Sequence, residues 1–445
     1  MKLFFVSLGC DKNLVDSEKM LALLAANDIL ITDEPEEAEI IIVNTCGFIH
    51  DAKEESIETI LEMAEYKKTG KCISLIMCGC LAQRYADDIQ KEIPEVDAVV
   101  GTTAYDRIFE VVQETLRGQK GCHLEDIDYL PDKLTERLQT TASYTSYLKI
   151  AEGCSKRCTY CIIPYLRGSY RSVPMEELLG EARSLAAGGT KELIVIAQET
   201  TLYGVDLYGE KRLPALLKEL CKIEGIAWIR IMYCYPEEIT EELLLTIKAE
   251  PKICHYLDLP IQHCNDTVLK RMGRRTTKRE LTEKLQMIRR ILPDITLRTT
   301  LISGFPGETR EQHDECLDFV KEFQFDRLGV FPYSPEEGTP AAAMEEQLEE
   351  EIKRQWADEI MEAEQDVIFR QNATFIGKKF RVLADGYLPE DGVYIGRTYR
   401  DAPDIDGCVF FEAPHELVSG TMLTVCISDA KGYDLVGEIC NEEEE

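Results

Sequence analysis

The sequence predicts a mixed α/β protein built from three units in series. A doubly wound parallel sheet comes first, then a partial barrel of six strand–helix repeats, then a small all-β barrel of the OB-like kind. Three observations carry this reading. Strand and helix signals alternate over the first 120 residues; a second alternating region runs from Tyr147 to about residue 340; and from Phe375 to Cys440 the pattern changes to short period-two runs punctuated by glycine and proline. At 445 residues, 44% hydrophobic and 30% charged, the chain is long enough for several domains and apolar enough to bury their cores.

The elements follow in order. LFFVSLG (3–9), EIIIVNTCG (39–47), CISLIMCGC (72–80) and VDAVVGTT (96–103) read as strands, near-continuous apolar runs of the kind buried on both faces. Between and after them, Val15 to Ala26, Lys53 to Lys68, Ala82 to Lys91 and Tyr105 to Gly118 have helical spacing. Residues 121–143 are polar and aperiodic and read as a linker. Six further strands are expected at 146–153, 192–199, 227–233, 256–260, 295–304 and 327–334, with helices between them. In such barrels the chemistry gathers at the carboxyl ends of the strands. Residues 341–373 are acidic and almost free of glycine and proline, which predicts a connecting helix. KKFRVLAD, GVYIGRTY, CVFFEA, TMLTVCISD and YDLVGEI then give five short strands, and NEEEE closes the chain as a frayed tail. The expected division is therefore 1–120, a linker at 121–143, 144–340, a connecting helix at 341–373, and 374–441.

Charge and cysteine usage narrow the function. With 50 basic and 82 acidic residues the net charge is −32, a surface that repels nucleic acid unless a local basic patch intervenes and that attracts basic partners. No apolar run reaches the roughly 18 residues of a membrane span, and the start MKLFFVSLGCDKN lacks the apolar stretch of a signal peptide, so no membrane role and a cytoplasmic location are expected. Seventeen cysteines in a reducing compartment point to metal or redox work more than to disulfides.

The strongest chemical signal is CSKRCTYC, with Cys154, Cys158 and Cys161 in a loop after a strand. Zinc would want a fourth ligand, and none lies close by in sequence. Three thiolates on a 4Fe–4S cluster leave one iron open to chelate S-adenosylmethionine, whose carbon–sulfur bond can then be broken by one electron. The bland alternative is three buried structural thiols. A second trio, Cys10, Cys46 and Cys80, lies at the ends of three strands that should be parallel neighbours, each beside glycine. All three should reach the sheet edge where doubly wound folds bind ligands.

CSKRCTYC resembles the CxxxCxxC motif of the radical S-adenosylmethionine enzymes. With the second trio, the resemblance extends over essentially the whole chain to the methylthiotransferases, which join an N-terminal cluster domain, a radical S-adenosylmethionine barrel and a TRAM β-barrel. It implies two 4Fe–4S clusters, one on Cys10, Cys46 and Cys80 and one on Cys154, Cys158 and Cys161. It also implies a cofactor site at Tyr160, at Gln198 and Glu199 in AQET, and at Gly304 and Gly307 in ISGFPGET. AQET lacks the glycines of the superfamily's GGE-like motif.

SLGCDKNLVDSE (7–18), NTCGFIHDAKEESI (44–57), GCLAQRY (79–85) and YLKIAEGC (147–154) look like the RimO branch, which implies methylthiolation of the β-carbon of an aspartate in ribosomal protein S-twelve. A flavodoxin or ferredoxin would supply electrons. Two rivals remain at this point: the same chemistry on a transfer RNA adenosine, and a non-catalytic iron–sulfur redox sensor. From Thr374 onward there are six Lys and Arg against fifteen acids, a net of −9, which disfavours direct RNA binding and favours a basic protein partner. A strip at Lys378, Lys379 and Arg381 keeps RNA open. Cys78 should share a face with Cys80. Gln262 and His263 either line the pocket or pack the barrel mouth.

Overall fold

The computed structural model describes residues 1–129, 131 and 136–440. The first sheet contains β1 (Lys2–Ser7), β2 (Leu30–Ile31), β3 (Ile40–Thr45), β4 (Ser74–Gly79), β5 (Ala98–Val100) and β6 (Gly121–His123), in the order β2-β1-β3-β4-β5-β6. Every pairing is parallel. β3 and β4 are buried along their whole length, as strands with helices on both faces must be. This reproduces the doubly wound sheet, with two additions. β2 is a two-residue edge strand within the three-residue apolar run ILI (29–31), too short to announce a strand. β6 lies where a linker was expected, so the sheet extends past residue 120.

The rest of that linker is also pinned where it is described. The Arg137 guanidinium pairs with Glu18 of helix Asp11–Ala25 and, at 2.8 Å, with Glu181 of helix Met175–Ala187. A polar composition reads as loose from sequence, but here it reflects ion pairs buried between two domains.

The second sheet runs β7 (Thr145–Lys149), β10 (Glu192–Ile196), β11 (Trp228–Ile231), β12 (Ile253–Asp258), β13 (Thr296–Ser303) and β14 (Arg327–Pro332), side by side in chain order and all parallel. This is the expected six-stranded partial barrel, with a large apolar core between its sheet and its helices. A two-stranded ribbon, β8 (Ala151–Glu152) with β9 (Arg171–Ser172), branches off after β7 and closes the base of the cysteine loop.

The connecting helix spans Glu350–Ala373 and so begins later than expected. Only Ala341–Ala343 forms a 3-10 turn before it. The third unit is a closed barrel in the order β15-β16-β17-β19-β18, with β15 (Lys379–Leu388), β16 (Val393–Arg397), β17 (Val409–Glu412), β18 (Met422–Lys431) and β19 (Asp434–Ile439). A disulfide joins Cys426 to Cys440, against the expectation that the thiols stay reduced. The NEEEE tail lies outside the described residues.

The small barrel is bolted into the open side of the six-stranded one. Arg397 pairs with Glu192 on β10 and with Asp385, while Arg230 on β11 donates to Glu192 and to the Tyr399 and Thr398 carbonyls. Arg327 pairs with Asp401, and Arg400 with Asp326. Leu383 and Ala402 join an apolar cluster with Ile194, Trp228 and Tyr256, and Val15 brings the N-terminal domain into the same cluster. No helix among the described residues is long and apolar enough to cross a membrane.

Candidate metal centres and cofactor site

β1, β3 and β4 are neighbours running the same way, so the turns after them lie together at one sheet edge. Cys10, Cys46 and Cys80 sit in those turns. The glycines beside them are required by crowding. A Cβ on Gly9 (φ +87°) would lie 2.8 Å from Cys46 Cβ and 3.1 Å from its Sγ, and one on Gly47 would lie 2.9 Å from the Leu81 nitrogen and 3.0 Å from the Cys80 backbone. Asn13 Nδ2 donates to the Leu8 and Thr45 carbonyls (3.1 and 3.0 Å), Asn44 Nδ2 donates to the Asn13 carbonyl (3.0 Å), and Cys80 Sγ faces Asn13 Oδ1 (3.8 Å), so Asn13 touches all three turns.

Cys10 is exposed, while Cys46 and Cys80 are buried. Burial, reinforced by the neighbouring Cys80 and Cys10 thiols, pushes Cys46 up to about 11. Burial also raises Cys80. Thiolates are costly here unless a cation binds them, which suits this donor set to an iron cluster. Cys78 takes no part, because its Sγ points to the Val43 carbonyl (3.6 Å) within the core.

The second trio lies in the loop between β8 and β9. Gly153 (φ +78°) is packed so tightly that a Cβ would sit 2.2 Å from the Ser169 oxygen. The Cys154 N–H donates to the Gly168 carbonyl (3.1 Å), Cys161 N–H to the Cys158 carbonyl (3.1 Å), and Thr159 N–H to the Met272 carbonyl (2.9 Å), which folds the loop back on the barrel mouth. Cys154 and Cys158 are buried, and Cys161 is half-buried. Burial pushes Cys154 up to about 11; it also raises Cys161, with the Cys158 and Cys154 thiols adding to the shift. The three thiols share one short loop, and burial disfavours the charged form of Cys154 and Cys161 unless a cation binds them.

Buried polar atoms without hydrogen-bond partners collect at the carboxyl ends of the barrel strands, although Lys156 lies 3.8 Å from Glu199 Oε2. They are Gln198 Oε1 and Glu199 Oε2 after β10, Gln262 Oε1 after β12, Ser303 Oγ at the end of β13 and Tyr333 Oη after β14. Glu199 is fully buried, accepts from the Thr201 N–H at 3.0 Å, and is pushed up to about 7 by burial. Gln198 Nε2 donates to Glu152 Oε1 at 2.6 Å. Tyr233 and Gln262 hold left-handed backbone conformations (φ 60° and 70°), strain of the kind that clusters at ligand sites. A polar ligand carrying an ammonium and a carboxylate suits these orphaned atoms.

Three further residues expected at the cofactor have close protein neighbours. The Tyr160 ring packs on Val268, Met272, Phe305 and Tyr333. Gly304 (φ +72°) lies against the connecting helix, where a Cβ would sit 2.4 Å from Lys353 Cγ, and Gly307 (φ +76°) lies against the Arg271 guanidinium, also at 2.4 Å. A side chain at either position would clash with these neighbours. His263 Nε2 faces Glu308 Oε1 (3.1 Å) and its Nδ1 accepts from the Asn265 N–H (2.9 Å). Its sulfur neighbours Cys264 and Cys316 lie within 4.8 Å, but neither ring nitrogen is free to ligate a metal.

Sequence reasoning missed the residues that join the two trios. Ile162 and Leu166, just after Cys161, pack on Cys80 in one buried cluster. Arg167 Nε lies 3.4 Å from Cys80 Sγ, and its other nitrogens reach Asn13, Asp16 and Glu152. Lys12, two residues after Cys10, caps the Tyr233 ring at 3.1 Å and pairs with Asp11 at 2.8 Å. The two thiol groups therefore face one seam between the first sheet and the barrel mouth.

Residues 2–101 match the uncharacterized protein family UPF0004, residues 148–320 the Radical SAM superfamily, and residues 376–440 the TRAM domain. A ribosomal protein uS12 methylthiotransferase RimO from Lachnoclostridium phytofermentans is 58% identical over 98% of this chain and 99% of that protein. Proteins of the same name from Acetivibrio thermocellus and Geobacter sulfurreducens are each 50% identical, over 99% and 98% of this chain and 99% and 98% of their own. Among solved structures, the radical S-adenosylmethionine methyltransferase TsrM from Kitasatospora setae superposes with a TM-score of 0.53 at 14% identity. It covers 75% of this chain and 74% of that one, a likeness of fold.

Proposed function

Because the chain belongs to the RimO family of ribosomal protein uS12 methylthiotransferases, we propose that it transfers a methylthio group to the β-carbon of an aspartate in that ribosomal protein. The observation that carries the reading is the shared seam. Cys80 of one trio packs on Ile162 and Leu166, which directly follow the last cysteine of the other. A substrate side chain entering there meets both thiol groups at once, as an insertion joining a hydrogen-abstracting centre to a sulfur-bearing one requires.

Cys154, Cys158 and Cys161 would hold one 4Fe–4S cluster, and Cys10, Cys46 and Cys80 the other. When bound, the first cluster with S-adenosylmethionine supplies one-electron cleavage of a carbon–sulfur bond, and so the radical that takes hydrogen from an unactivated carbon, while the second carries the sulfur. Glu199 and Gln198 grip the cofactor's ammonium from the end of β10. An ammonium beside Glu199 offsets the burial that raises this carboxyl and holds it ionised. Apolar packing of Ile162 and Leu166 on Cys80, and of Phe305 in the cluster that Tyr160 joins, keeps water from the seam. Residues 1–120, 144–340 and 374–441 serve as cluster, radical and substrate-docking units.

The TRAM barrel favours a basic protein over RNA. Of its six Lys and Arg, Arg397 and Arg400 are consumed in buried ion pairs with Glu192, Asp385 and Asp326. Lys378, Lys379, Arg381 and Lys431 are left exposed amid an acidic surface. Mass spectrometry of ribosomal proteins from cells with and without the enzyme tests the proposal. One methylthio adduct on a uS12 aspartate, present only with the enzyme, is expected. An unmodified uS12 together with methylthiolated transfer RNA would replace the substrate.

A further inference from the structure

Arg167 is a cation with an unusual set of partners. It ends the short helix Ile163–Arg167 that follows the CxxxCxxC loop and is almost completely buried, at 2% exposure. Nη1 donates to Asp16 Oδ2 (2.7 Å) and Glu152 Oε2 (3.2 Å), Nη2 donates to Asn13 Oδ1, and Nε points at Cys80 Sγ, 3.4 Å away. Lys149 sits beside the same two carboxylates. Two cations thus balance two acids, and the guanidinium's Nε–H is directed at the sulfur. A purely mechanical bolt between domains would be complete with Asp16 and Glu152.

We propose that Arg167 is a positioning residue that sets the reduction potential of the cluster held by Cys10, Cys46 and Cys80, through an N–H···S hydrogen bond and a buried positive charge at Cys80. The inference rests on the reading that this trio binds a cluster. A hydrogen bond to a ligating sulfur and a nearby cation both stabilise the more negative, reduced state, so they raise the potential. Both act strongly because Cys80 and Arg167 are buried together, away from water. The same side chain reports to the barrel, since Glu152 also accepts from Gln198 on the cofactor side. One arginine therefore links the sulfur-bearing thiols to the cofactor pocket.

The test uses full-length protein with Cys154, Cys158 and Cys161 all changed to Ala, reconstituted anaerobically, so that only the first trio can hold iron. The potential of the remaining cluster is measured by electron paramagnetic resonance during redox titration. Arg167→Gln should move it to more negative values by at least a tenfold shift in the oxidised-to-reduced ratio, about 59 mV for one electron. Arg167→Lys keeps the charge but loses the directed N–H, so it should shift the same way by less. It also provides the measurement if the Gln variant does not hold its cluster. An unchanged potential in a variant loaded with about four irons would overturn the inference while leaving the proposed function standing. Absence of any cluster in the triple-Ala background would overturn both.

Discussion

At the scale of single residues, the proposed function assigns the two trios separable tasks. Cys154→Ala should abolish release of 5′-deoxyadenosine. Cys46→Ala should leave that release intact and stop sulfur insertion, and chromatography of the nucleoside beside mass spectrometry of the substrate separates the two. Glu199→Gln removes a buried charged acceptor, so binding of S-adenosylmethionine should weaken about 10- to 100-fold, read by calorimetry. The thiols can be picked out from the chain because each cysteine is marked locally, by motif spacing or by a glycine at a strand end. The residues that join them cannot. Arg167 and Cys80 are 87 positions apart, and the arginine's role depends on how two domains dock. Gly304 and Gly307 show the converse. Their left-handed backbone is foreshadowed by a strand-to-helix turn, but what presses on them is Lys353 from a later helix and Arg271 from an earlier one.

At the scale of elements, the connecting helix Glu350–Ala373 contains a pH-sensitive joint. Glu364 accepts from the Tyr433 hydroxyl (2.9 Å) of the small barrel, its other carboxylate oxygen lacks a partner, and burial pushes it from its ordinary 4.5 up to about 7. The folded state holds this proton more tightly than the unfolded chain does. Stability from this group therefore falls as pH rises from about 4.5 to about 7 and is flat above. Glu364→Gln should be more stable than the parent above pH 7, by up to about 3 kcal/mol, with the difference vanishing below pH 4.5; unfolding midpoints at pH 4 and 8 check it. The strands of both parallel sheets are legible because long apolar runs admit few other readings. The late start of this helix is not, since an acidic, proline-poor stretch has helical propensity whether or not tertiary contacts use it. Edge strands β2 and β6 are too short to carry a period.

At the scale of the molecule, the three-unit architecture follows from shifts in pattern along the chain, whereas the way the units close on one another does not. The small barrel fills the open side of the six-stranded one through Arg397, Arg327 and Arg400, residues that in a sequence count only as surface charge. Their burial leaves an acidic exterior on a chain of net charge −32, so association with basic uS12 should be fast and should slow steeply between low and physiological salt. Stopped-flow measurement at two ionic strengths checks this, and salt-independent association would argue for a docking face that charge does not steer. On the proposed function, two thiol trios, one at a sheet edge and one at a barrel mouth, each hold a cluster across a common seam. Counting iron in anaerobically reconstituted protein tests this most directly. About eight irons per chain are predicted, falling to about four when either trio is changed to alanine; about four in the parent protein, or zinc in place of iron, would contradict the claim.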